Sequence, residues 1–112
     1  MAQRTPQRLF GMKLFIDTSS SEKIIVGLDE KKFETSAKKA ASQRLLPFIT
    51  ELLEKEGKKF EEIKEIEVNT GPGSFTGLRV GVSVANALGW GLDVPVNGKN
   101  LKKGEVVDIK YE

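Results

Sequence analysis

The segment GPGSFTGLRVG, residues 71–81, organises this chain. Its first six residues form a Gly-Pro loop. The stretch before it, IKEIEVN at residues 63–69, alternates apolar and polar side chains and reads as a strand. Residues 77–91 after it carry apolar residues at helical spacing and read as a helix. A strand that turns through glycines into a helix presents backbone amides to an anion, aided by the helix dipole. Gly73, Ser74 and Thr76 are therefore candidate phosphate-binding residues. The loop lacks the Lys of a Walker sequence, and its glycines do not fit G-x-G-x-x-G. Spacing alone favours a tight turn with Ser74 or Thr76 as the helix cap.

Working outward, residues 13–17 (KLFID) alternate and predict a first strand, with Leu14 and Ile16 on one face. Residues 18–22 turn the chain. Residues 23–29 (KIIVGLD) predict a second strand and residues 33–36 a short third, an antiparallel meander. From about residue 40 to 56 the apolar residues Ala41, Leu45, Leu46, Phe48, Ile49, Leu52 and Leu53 recur at helical spacing, and Gly57 stops the run. Pro47 predicts a kink or a late start near Ser42. Residues 94–96 predict a fifth strand, and residues 105–111 one more.

The order βββαβαβ predicts a mixed five-stranded α/β sheet, order 3-2-1-4-5. Right-handed crossovers place both helices on one face. Strand four agrees, because Ile66 and Val68 alternate with Glu65 and Glu67, whereas a strand covered on both faces reads as an apolar run. The other face is expected to be wet or thinly covered by the tail.

Composition narrows the chemistry. The chain has 112 residues, with neither Cys nor His. That excludes disulfides, thiolate metal sites, Cys nucleophiles, Ser-His-Asp catalysis and His-ligated metals. No metal site is expected. The net charge is +2, and Arg4 and Arg8 in the acid-free first eleven residues account for it. The remainder is formally neutral and gives no sign of nucleic-acid binding. Residues 1–11 read as a disordered extension or a cloning remnant, residues 12–98 as the folded lobe, and residues 99–112 as a short tail or edge strand. No apolar run reaches the ~20 residues that span a bilayer.

Asp17 and Thr18 close the first strand, where a carboxylate and a hydroxyl can approach a phosphate or hydrated magnesium. The simpler reading is a turn that uses them locally. Glu61, Glu62, Glu65 and Glu67 are spread over a loop and a strand edge and form no catalytic carboxylate pair. The second helix confines its polar residues Arg79, Ser83, Asn86 and Trp90 to a narrow strip. Gly77, Gly81, Ala85 and Gly89 recur every four residues, which lets another backbone approach closely. The first helix is also broadly apolar, over about 160°. Two helices on one sheet face do not obviously bury that much surface, which points to a protein interface on the helix layer.

GPGSFTGLRVG, FIDTS at residues 15–19, SQRLLP at residues 42–47 and GLDVPVNG at residues 91–98 together resemble the TsaB (YeaZ) family, in register over residues 12–98. The resemblance implies one lobe of the RNase H-like, actin-like ATPase and sugar-kinase fold. It implies a non-catalytic scaffold that binds a catalytic paralogue, TsaD, through its helices. With the ATPase TsaE, that complex installs threonylcarbamoyl on the adenosine next to the tRNA anticodon. Expected contact residues are Leu45, Leu46, Ile49, Leu53, Leu78, Val82, Ala85 and Trp90. The expected setting is cytoplasmic, with tRNA engaged indirectly and no membrane contact. No cofactor is expected to bind tightly, and ATP or ADP with magnesium only at a partner interface. The family usually has a second lobe of similar size, absent here. The paralogue's metal-holding histidines follow the fifth strand, where this chain has Asn97-Gly98-Lys99-Asn100. Two alternatives stay open: a nucleotide-binding transferase using Asp17, Ser74 and Thr76, and a homodimeric interaction module.

Overall fold

The computed structural model describes residues 11–37 and 41–110. The expectation for the first eleven residues falls outside these, Gly11 excepted. The elements are β1 (Met12–Asp17), β2 (Lys23–Leu28), β3 (Lys31–Ser36), α1 (Ala41–Lys55), a 3-10 turn (Phe60–Glu62), β4 (Ile63–Val68), α2 (Phe75–Leu92) and a second 3-10 turn (Leu101–Lys103). The sheet runs β3-β2-β1-β4. β1 pairs antiparallel with β2 and parallel with β4, and β2 pairs antiparallel with β3.

Strand alternation separates the two faces. Leu14 sits between Leu28 and Ile66, and Ile16 between Val26 and Val68. All six are buried under the helices. The opposite face carries Lys13, whose ammonium meets the Glu67 carboxylate at 2.6 Å with both side chains about half exposed. Phe15 lies there too, with the Lys32 ammonium 4.8 Å from its ring centre. Among the described residues, the tail does not cover this face. Residues 105–110 run instead beside α2.

α1 continues through Pro47 without a break and begins at Ala41, close to the expected start. Leu45, Ile49, Leu52 and Leu53 face inward. Its end is a Schellman turn. Gly57 adopts φ +69°, Gly57 N–H donates to Glu54 O at 3.1 Å and Lys58 N–H donates to Leu53 O at 2.8 Å. α2 is seated by its glycine row. A Cβ on Gly77 would collide with Thr18 O, one on Gly81 with Thr18 Oγ1, and one on Gly89 with Val96. Helix and strand ends come together closely because those side chains are missing.

The fifth strand is present only as a single parallel bridge, Ile66 to Val96, on the expected side of β4. The reason is local. Asn97 and Gly98 adopt φ +49° and +80°, a two-residue reversal that pairs Val96 with Lys99 at 2.9 and 2.8 Å. The chain turns away after one residue of pairing. The extra strand expected over residues 105–111 is likewise corrected, since residues 105–110 form none. Their backbone is held by the Asn86 side chain, which bonds both the N–H and the C=O of Val107, and by Thr70 O. Those partners lie on α2 and a loop, not at a sheet edge.

Candidate functional site: a strand-to-helix loop and a helix crease

The loop at residues 71–76 is built from internal hydrogen bonds. Ser74 caps α2, its Oγ accepting from Gly77 N at 3.3 Å. Ser74 N–H donates to Ser19 O at 2.7 Å, which ties the loop to the end of β1. Gly73 has φ +156°, and a Cβ there would lie 2.5 Å from the Ser19 Cβ. The Asp17 carboxylate accepts from Ser19 N at 2.9 Å and from Asn69 Nδ2 at 3.1 Å. Thr18 is 1% exposed and donates its hydroxyl proton to Gly77 O at 2.6 Å.

The candidate phosphate-binding set therefore divides. Asp17, Thr18 and Gly73 hold the β1 end against the start of α2. Ser74 and Thr76 line a hollow of about 290 Å³ together with Ser20 and Ser42, at the N-terminal ends of both helices. Among the described residues, no cluster of three acidic side chains could hold a metal ion.

The expected contact residues divide as well. Leu45, Ile49, Leu53, Leu78, Val82 and Ala85 are all buried, at most 5% exposed, in this chain's own core. They are corrected from contact residues to core residues. A helix packed on a sheet and on a second helix buries the centre of its apolar arc, so only the arc's margins stay accessible. Leu46 and Trp90 are exposed, at 44% and 57%. Trp90 does not line the crease that Leu46 borders. Trp90 stands on the tail side, with the Lys102 ammonium 4.3 Å from its ring centre.

Leu46 borders an open apolar crease of about 390 Å³ between α1 and α2, lined by Thr50, Phe60, Ala87, Leu88, Gly91 and Leu92 as well. The sequence reading missed these residues. Their signal was their place at the margins of the two apolar arcs, where small and half-buried residues end the core.

The family profile described as TsaD: tRNA N6-adenosine threonylcarbamoyltransferase matches residues 34–101. A curated relative from Haemophilus influenzae, tRNA threonylcarbamoyladenosine biosynthesis protein TsaB, is 34% identical over 86 residues, covering 74% of this chain and 36% of its own length. The protein of the same name from Bacillus subtilis is 38% identical over 88 residues, covering 75% and 38%. The solved structure of YeaZ from Pseudomonas aeruginosa superposes with a TM-score of 0.66 at 28% identity, over 77% of this chain and 42% of that one. The chain thus spans well under half the length of the relatives it matches. No helix of the described residues is long and apolar enough to cross a membrane.

Proposed function

This chain belongs to the family of the tRNA threonylcarbamoyltransferase TsaD, as a single lobe of TsaB (YeaZ) type, and on that premise we propose that it is a non-catalytic scaffold in tRNA threonylcarbamoyladenosine formation. Its partner is a TsaD-like catalytic paralogue, docked on the helix layer. A TsaE-like ATPase joins the same cytoplasmic assembly, and tRNA is engaged through the partner.

The observation that carries this reading is the α1–α2 crease. It exposes Leu46, Ala87 and Gly91 beside half-buried Leu88 and Leu92. A contiguous apolar strip between two helices is a surface that a partner helix fits by ridge-into-groove packing. Small residues at Ala87 and Gly91 let that helix come close. The non-catalytic part of the reading is supported by the loop. The hydroxyl and carboxylate groups of Thr18, Asp17 and Ser74 are engaged in holding the fold. ATP or ADP with magnesium is held where the partner adds its own groups, and not by this lobe alone.

Co-elution of the full chain with the catalytic paralogue from the same cell tests the reading. Wild-type chain is expected to co-elute with it, and Ala87→Asp, at an exposed position, is expected to elute alone. Calorimetric titration of the isolated chain with ATP and magnesium is expected to show no sub-millimolar binding. Tight binding there would favour the transferase reading.

A further inference from the structure

Asn97-Gly98 is the one place in the sequence where an asparagine precedes a glycine; Asn69, Asn86 and Asn100 precede Thr, Ala and Leu. The pair carries a reaction of its own. The Gly98 main-chain nitrogen, on losing its proton, attacks the side-chain carbonyl carbon of Asn97. Glycine has no Cβ to obstruct that approach. A carbon–nitrogen bond forms, the Asn97 Nδ2 leaves as ammonia with the proton that Gly98 gave up, and a five-membered succinimide remains. Water then opens the ring at either carbonyl and leaves aspartate or isoaspartate. The balance is one water in and one ammonia out, with no oxidant and no cofactor.

The reactants are within solvent reach. Asn97 and Gly98 are both exposed. A Cβ built on Gly98 meets nothing within 4 Å. Among the described residues, none accepts a hydrogen bond from Gly98 N–H.

Two features hold the reaction back. The first is the reversal itself, in which Asn97 and Gly98 take φ +49° and +80° while Val96 and Lys99 exchange hydrogen bonds across it. A left-handed residue sets its Cβ and the following nitrogen nearly opposite about the Cα–C bond, whereas ring closure needs them side by side. The second is the Asn97 carboxamide, bonded at both ends to the main chain of Val68. Ring closure therefore requires the reversal and this latch to open. Little else ties the segment to β4: Ile66 N–H donates to Pro95 O at 2.9 Å, and Asn97 N–H donates to Ile66 O at 2.8 Å. A segment held by a few bonds at the surface opens more often than the core. Neither product can close the latch again. Aspartate brings no donor for Val68 O, and isoaspartate adds a methylene to the main chain of a two-residue reversal that tolerates none.

We propose that Asn97-Gly98 is a deamidation site gated by the Asn97–Val68 latch, so that a chain whose β4 edge has opened is marked irreversibly. The proposal does not rest on the scaffold reading.

Peptide mapping by mass spectrometry tests it, on full chain incubated at mildly alkaline pH with and without urea. In unfolding urea, Asn97 is expected to lose its amide ahead of Asn69, Asn86 and Asn100. In the folded chain its loss is expected to be at least about tenfold slower, since the latch and the reversal must break first. Val96→Ala removes buried packing against Gly89 beside the reversal. It is expected to speed the folded chain several-fold and leave the rate in unfolding urea unchanged. Urea below the unfolding transition is expected to speed the wild type in the same way, which frees the test from the variant. Amide exchange at Val68 is expected to be faster in deamidated chain than in intact chain. Equal rates at Asn97 with and without unfolding urea, or a rate there no greater than that of the other asparagines, overturns the proposal. So does a folded-chain rate that neither Val96→Ala nor mild urea changes, or unaltered exchange at Val68 after deamidation.

Discussion

The side-chain amide of Asn97 makes both hydrogen bonds with the main chain of Val68: Val68 N–H donates to Asn97 Oδ1 at 2.8 Å, and Asn97 Nδ2 donates to Val68 O at 3.0 Å. This carboxamide stands where the next peptide group of a fifth strand would lie. It lets the chain reverse at Asn97-Gly98 without leaving the β4 edge unpaired, which would be costly in a half-buried site.

Asn97→Ala is therefore expected to cost about 1–3 kcal/mol, because a donor and an acceptor on Val68 lose their partner together. Asn97→Asp is expected to cost at least as much, since a carboxylate faces the Val68 carbonyl and donates nothing. Chemical denaturation checks both. An unchanged midpoint for Asn97→Asp would show that water replaces the amide without loss.

The glycine row yields two substitutions of opposite sign. Gly81→Ala is expected to destabilise by about 1–3 kcal/mol, because the new methyl meets Thr18 Oγ1. Gly91→Ala meets nothing within 4 Å and is expected to stabilise by up to about 1 kcal/mol through helix propensity. Thermal unfolding of the pair separates close packing from propensity.

Much of this fold was legible in the sequence, and the reasons differ by element. Alternation in residues 13–17 and 63–69 fixed which faces are dry, because side-chain direction in a strand has period two. Helical spacing placed α1 and α2 within a few residues of their ends. The aborted fifth strand needed Asn97-Gly98 to be read as a reversal, and not as the end of GLDVPVNG. The path of the tail was not legible. It depends on Asn86, a residue of the polar strip, turning out to be the main-chain partner of Val107. Six of the eight expected contact residues lie in the core because the centre of an apolar arc packs against the chain's own sheet and helices, and only the arc's margins are left accessible.

That role of Asn86 is testable. Asn86→Ala is expected to release residues 105–110, seen as faster amide hydrogen exchange at Val107 and faster proteolysis of the tail. The exchange rates of β1 and β4 should stay unchanged. Unaltered protection at Val107 would mean that burial of Val107 and Ile109 alone holds the tail.

The wet face supplies a pH prediction. The hydrogen bond that the Lys13 ammonium donates to the Glu67 carboxylate, with the charges of Glu67 and Glu65, raises the Lys13 pKa above the ordinary lysine value, against the opposing effect of burial. A raised pKa means that the folded state holds this proton more tightly. The contribution is thus complete below the ordinary lysine range and fades as pH rises through the raised value. Because both side chains are about half exposed, Glu67→Gln is expected to change stability at neutral pH by no more than about 1 kcal/mol. NMR titration should show the Lys13 pKa falling in that variant.

The proposed docking of a TsaD-like partner rests on the crease between α1 and α2. Its most direct measurement is the affinity of purified full chain for the catalytic paralogue, wild type against Ala87→Asp, with unfolding midpoints recorded for both. A stable complex is expected with wild type and its loss with Ala87→Asp, whose unfolding midpoint falls only by the helix-propensity cost of Asp, under about 1 kcal/mol. A paralogue that ignores the wild-type chain, or binds Ala87→Asp as tightly, would contradict it.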